Sequence, residues 1–366
     1  MARSYDRHFG HDYASSRSLF LEACSDKNIF VTPVLNEGAS GPAGEPLYCD
    51  VAYWGRPDAP RLIILSAGTH GAEAGCGAGL MTAFLDDWGA KPLPDDVAVL
   101  FINHLNPWGA AHMARTTEDN VDLNRNFVDF AAGAPSNAPY RALRHHFDLD
   151  EWTPEARQQI ADGMDVFHKE EGEAAYLMAM RAGQYDYADD IGFGGHRPTW
   201  SRRLFEHLVT TYGQNRQHVA FIDIHTGVGS FAEPVFICFH PVESDAYARA
   251  QRWWKFPAQN KGNDTIEGRV TYNGTIFEAF PTLLPSTDTT VACLEFGTLE
   301  MELVQHAIVA DVWRRHHPDA PLGQQEEARA LIKNAFYPND PAWRARVEEA
   351  GLKILHQTVD GILSTA

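Results

Sequence analysis

Arg61-Leu62-Ile63-Ile64-Leu65-Ser66-Ala67 runs directly into Gly68-Thr69-His70-Gly71-Ala72-Glu73. A short continuous apolar run of this kind reads as a strand covered on both faces. Glycines at 68, 71 and 75 permit a tight turn out of that strand. Residues 72–84 are small and apolar without proline, which suits a helix packed closely on a sheet. Val97–Asn103 (VAVLFIN) reads as a second buried strand. Strand, helix and strand at this spacing predict a βαβ unit whose working face lies at the strand C-termini.

Outward from this unit, residues 47–54 alternate as a strand does. Strand signals return at 218–225 (HVAFIDIH), 234–239 (PVFICF) and 290–296 (TVACLEF), followed by two helices over 302–316 and 343–362. Between Val128 and Gln217 the pattern is helical and loop-like. Thr153-Pro154-Glu155 reads as a helix start, with a break near Gly172, and Ser201 as the cap of another helix. The expectation is one α/β catalytic domain over residues 1–366, with a helical insertion at about 128–217 near the active-site mouth and C-terminal helices at about 302–366.

The 366 residues are 44% apolar and 11% aromatic, which indicates a packed core rather than disorder. A formal charge of −19 argues against nucleic acid and anionic membrane as partners. No apolar run is long enough to span a bilayer. Met1-Ala2-Arg3-Ser4-Tyr5-Asp6-Arg7-His8 carries charges where a signal peptide needs an apolar stretch, so a cytoplasmic location is expected. Five cysteines without a CxxC pair point to reduced thiols. Association of subunits is left open.

His70 and Glu73, three residues apart, can reach one ion; the alternative is a capping carboxylate beside a surface histidine. His225 ends an apolar strand and opens into Thr226-Gly227-Val228-Gly229, as a residue at a cleft does. With it, two histidines and one glutamate form a ligand set that leaves one zinc position open. Asp223 shares a strand face with His225 and could orient it, or could cap a neighbouring turn. Glu295, near the end of another apolar strand, is costly to bury without a task or a partner. As general base and acid it would take a proton from a metal-activated water and pass it to the leaving amine. Asn124 and Arg125, in Asp122-Leu123-Asn124-Arg125-Asn126-Phe127, suit a carboxylate, and Arg115 suits an oxyanion. A salt-bridged strand-end glutamate and an ordinary surface arginine are the alternatives for Glu295 and Arg115.

In this order, His70-x-x-Glu73, Asn106-Pro107-x-Gly109, Arg115, Asp122-x-Asn124-Arg125-Asn126-Phe127, His225 and Glu295, the chain resembles the zinc carboxypeptidase superfamily. It looks most like a bacterial branch known only as a domain of unknown function. That branch shares Thr69-His70-Gly71-x-Glu73, Val121–Phe127 and Asp223-Ile224-His225-Thr226-Gly227. The resemblance spans about residues 47–299. The aspartoacylase and succinylglutamate desuccinylase group is a more distant likeness. The resemblance implies a three-layer α/β/α fold with a mixed, roughly eight-stranded sheet. It implies one zinc per chain on His70, Glu73 and His225, with Glu295 as general base and acid. It places Arg115 on the oxyanion and Asn124, Arg125 and Tyr272 on the substrate.

The expected function is zinc-dependent hydrolysis of an amide next to a free carboxylate, in a peptide or small molecule. Deacylation of N-acyl amino acids or related small amides is the alternative. A binding protein that has kept the pocket without turnover is a third reading.

Overall fold

The computed structural model describes residues 7–147, 149–256 and 272–365. The reading of Met1–Asp6 and the position of Thr271 therefore lie outside the described residues. In chain order the strands are β1 (Val31–Ser40), β2 (Pro46–Trp54), β3 (Arg61–Ala67), β4 (Val97–Asn103), β5 (His218–Phe231), β6 (Pro234–Cys238) and β7 (Asp288–Gly297). The helices are α1 (Tyr13–Asp26), α2 (Ala74–Trp88), α3 (Pro107–His112), α4 (Ala138–Leu143), α5 (Pro154–Arg181), α6 (Trp200–Gly213), α7 (Asp245–Trp254), α8 (Phe280–Leu283), α9 (Met301–His316), α10 (Leu322–Phe336) and α11 (Pro341–Leu363).

Among the described residues the strands form one seven-stranded sheet in the order β1-β2-β4-β3-β5-β7-β6, one strand fewer than the expected eight. Its centre, β4-β3-β5-β7, is parallel, and the pairs β1–β2, β2–β4 and β6–β7 are antiparallel. The parallel strands carry near-continuous apolar runs because both faces are covered. Ile63, Leu65, Ala220, Ile222, Ala292 and Leu294 point into one core layer under α1, α2, α7 and α11. Leu62, Ile64, Val219, Phe221, Val291 and Cys293 point into the other, against Phe205, Ile276, Phe277 and Phe280. A mixed α/β fold with helices on both faces results.

Between Phe127 and β5, α5 changes course at Gly172, whose φ of 85° leaves the helical region at the expected break. The cap of α6 is Thr199 rather than Ser201: its Oγ1 accepts from the Arg202 amide at 3.1 Å, while Ser201 is buried inside the helix. Among the described residues three helices, not two, follow β7. The additional one, α10, packs on α9 and buries Ile332 and Phe336.

Candidate metal centre and cavity

The site grows out of the alternation that builds the second core layer. In register, Ser66 stands beside Asp223, Asp223 beside Cys293, and His225 beside Glu295. These polar side chains continue the face of Leu62, Ile64, Phe221 and Val291, but at the C-terminal ends of β3, β5 and β7. His70 follows β3 through Gly68, whose φ of +80° favours glycine. Gly71 then passes so close to Gly109 that a Cβ would fall 2.0 Å from its carbonyl carbon. That approach seats the Gly71–Glu73 3-10 turn, and Glu73 ends up buried at the start of α2.

Three donors converge. His70 Nδ1 lies 2.8 Å from Glu73 Oε1 and 3.2 Å from His225 Nδ1, and His225 Nδ1 lies 3.2 Å from Glu73 Oε2. The far nitrogen of each ring faces a carboxylate: His225 Nε2 is 2.5 Å from Asp223 Oδ2, and His70 Nε2 is 3.1 Å from Asp122 Oδ1. Asp223 is held in turn by the Ser66 and Thr69 hydroxyls. On His225, a carboxylate at the outer nitrogen orients the ring and turns the inner nitrogen toward Glu73 and His70. Zinc bonds of 2.0–2.1 Å place tetrahedral ligands roughly 3.3 Å apart, close to the separation of the two inner nitrogens. The residues present therefore fit a zinc ion.

The same groups shift one another's titration. Burial disfavours charge on Glu73, yet His70 and His225 outweigh it and lower its pKa. Asp122 is likewise held well below the carboxylate range by Arg115 and His70 against the cost of its burial. Burial opposes charge on His225, but Asp223 and Glu73 raise its pKa well above the imidazole range. Glu295 goes the other way: burial and the neighbouring Glu73 push it up to about 8. Its Oε2 is buried without a hydrogen-bond partner. Four carboxylates around two imidazoles and Arg115 make a centre that a dication would neutralise.

Arg115 leans across this centre, with Nη2 2.9 Å from His70 Nε2 and Nε 3.2 Å from Asp122 Oδ2. Its backbone is tied to the buried Asp311 of α9, which accepts from the Arg115 amide at 2.9 Å. Arg125 sits in the 3-10 turn Leu123–Arg125, capped by Asp122. Its Nε and Nη2 donate to the Arg181 carbonyl at 3.1 and 2.7 Å, and Nη1 to the Asn124 carbonyl at 2.6 Å. This buried guanidinium makes its hydrogen bonds to backbone carbonyls, and its charge also helps to hold Asp122 ionised. Tyr272, half-buried, places its ring 5.4 Å from the Arg125 guanidinium and edge-on to Phe239. Asn124 accepts from the Ile276 amide at 2.9 Å.

The structure brings all eight sequence-derived candidates, His70, Glu73, Arg115, Asn124, Arg125, His225, Tyr272 and Glu295, to one cavity of about 450 Å³. Sequence reasoning missed Asp122 against His70, because an aspartate before a 3-10 turn reads as a cap, which it also is. It also missed Cys293, whose Sγ lies 3.9 Å from Glu295 Oε1; period-two alternation from Glu295 could have placed it.

The family model described as Protein of unknown function (DUF2817) matches residues 9–350. The chain belongs to that family. No curated protein matches its sequence. Its structure is similar to that of thrombin activatable fibrinolysis inhibitor (TAFI), at 12% identity over 98% of this chain and 76% of that one, with a TM-score of 0.49. A metallo-carboxypeptidase from Pseudomonas aeruginosa in complex with (2-guanidinoethylmercapto)succinic acid gives 13% identity over 97% and 71%, with a TM-score of 0.48. The succinylglutamate desuccinylase from Chromobacterium violaceum gives 15% identity over 88% and 74%, with a TM-score of 0.36. No described helix is long and apolar enough to cross a membrane.

Proposed function

We propose that this chain is a zinc-dependent hydrolase of an amide bond next to a free carboxylate. The observation that carries the reading is the convergence of His70 Nδ1, Glu73 and His225 Nδ1, with the unpartnered oxygen of Glu295 beside them. One zinc held by His70, Glu73 and His225 supplies Lewis acidity and a lowered pKa for water. Glu295 accepts a proton in the cavity and returns it to the departing amine. Arg115 donates to the carbonyl oxygen as it gains charge. Arg125 takes the substrate carboxylate, which converts binding into orientation. Asn124 and Tyr272 border the same subsite.

The test is metal content by elemental mass spectrometry after zinc loading and removal of excess, beside a His225→Ala variant. About one zinc per chain, lost in the variant, is the expected outcome. A wild-type chain that holds no metal overturns the reading.

A further inference from the structure

We propose that the acyl side of this site is a closed apolar pocket. Its substrates are then N-acyl amino acids carrying an apolar acyl group, rather than peptides that continue toward an N-terminus. The inference rests on the hydrolase reading above for the position of the amide.

With the carboxylate on Arg125 and the carbonyl beside Arg115, the acyl group extends toward the wall on the Arg115 side. That wall is apolar. Phe336 packs 5.7 Å from the Arg115 guanidinium, and Met301, Val304 and Ile308 of α9 continue it. Met180, at the end of α5, and Ile191 face the same cavity. Ile308 packs against both the cluster containing Phe336 and the cluster that joins α5 to α9.

Two features join α5 to α9 along this wall. The Tyr176 hydroxyl of α5 donates to Gln305 Oε1 of α9 at 2.8 Å, and Gln305 itself lines the cavity. Behind that bond, Ile160, Met164 and Phe167 of α5 share a core with Val309, Ala310 and Trp313 of α9. Among the described residues, a peptide continuing past the scissile amide would have to force α5 away from α9, whereas a compact acyl group would not. The cavity of about 450 Å³ falls in the low end of the roughly 300–1,000 Å³ span of small-ligand sites. Burying an added methylene against such a wall favours binding roughly fourfold. Arg181 also lines the cavity, so an anionic acyl group is the competitor to be measured.

The experiment compares zinc-loaded protein on N-acetyl-, N-butanoyl-, N-octanoyl- and N-succinyl-phenylalanine and on the tripeptide Ala-Ala-Phe, following release of phenylalanine. In parallel, calorimetry measures binding of the same compounds to Glu295→Gln, so recognition is read without turnover. The expected result is a kcat/KM and an affinity that climb at least tenfold from acetyl to octanoyl, with succinyl and the tripeptide at or below acetyl. Ile308→Asp, and independently Met301→Lys at the half-buried start of α9, should flatten that climb. Length-graded binding without turnover of any compound supports the pocket and overturns the hydrolase reading alone. A tripeptide or succinyl compound favoured over octanoyl, equal affinity across the acyl series, or no binding of any compound overturns the pocket.

Discussion

The floor of the cavity is built from the ends of parallel strands, and its roof from helices. On the floor, β3, β5 and β7 lock Ser66, Asp223, His225 and Glu295 into register through backbone ladders, so each polar group has a fixed neighbour. Over the cavity, Met180, Ile191 and Ile308 are held by side-chain packing, and α5 is tied to α9 by the Tyr176–Gln305 hydrogen bond. A ladder fixes position to a fraction of an ångström and suits chemistry. Packed helices tolerate changes of shape and suit selection among substrates. Mutations should therefore have large and specific effects on the floor and small, graded ones in the roof.

The sharpest way to break this contrast is Glu295→Gln. The amide keeps the volume but cannot take a proton, so turnover should fall by about 10²–10⁴-fold, with zinc retained at the wild-type level. Measured together, rate and metal content decide it; an active variant removes Glu295 from the proposed chemistry. Next in size is Asp223→Asn. His225 would lose the carboxylate on its Nε2, and zinc affinity should drop roughly 10–100-fold in competition with a chelator. Unchanged affinity would mean that packing alone orients the ring.

The smallest effect is expected in the roof. Tyr176→Phe deletes one neutral hydrogen bond between α5 and α9, which costs about 1 kcal/mol in denaturant unfolding. Zinc content should not change, because among the described residues the Tyr176–Gln305 bond shares no hydrogen-bond partner with the three ligands. A loss of metal in this variant would show that roof and floor are coupled, and the contrast would fail.

Much of the floor was legible beforehand, because its logic is local. A continuous apolar run followed by Gly-Thr-His-Gly-Ala-Glu announces a covered strand with polar groups at its end. Period-two alternation carries Asp223 with His225, and it would have carried Cys293 with Glu295. The roof was much less legible. Residues 322–336 alternate charge and small apolar side chains, and nothing in them says that Phe336 will pack under Arg115. The cap of α6 fell to Thr199 because either of two nearby hydroxyls could open that helix, and packing buried Ser201.

By itself the sequence determined the residue types, the strand ends that bear them and the spacing of His70 to Glu73, since these depend on neighbours a few residues away. Only the tertiary structure decided that strands far apart in sequence lie in the order β4-β3-β5-β7. That order brings His225 beside both Glu295 and His70, while the turn at Leu123–Arg125 sets Asp122 against the outer nitrogen of His70. It was also the tertiary structure that joined α5 to α9 above them. The physical reason is range: backbone propensity and alternation act over a few residues, while contacts between distant segments are settled by the burial of surfaces that fit one another.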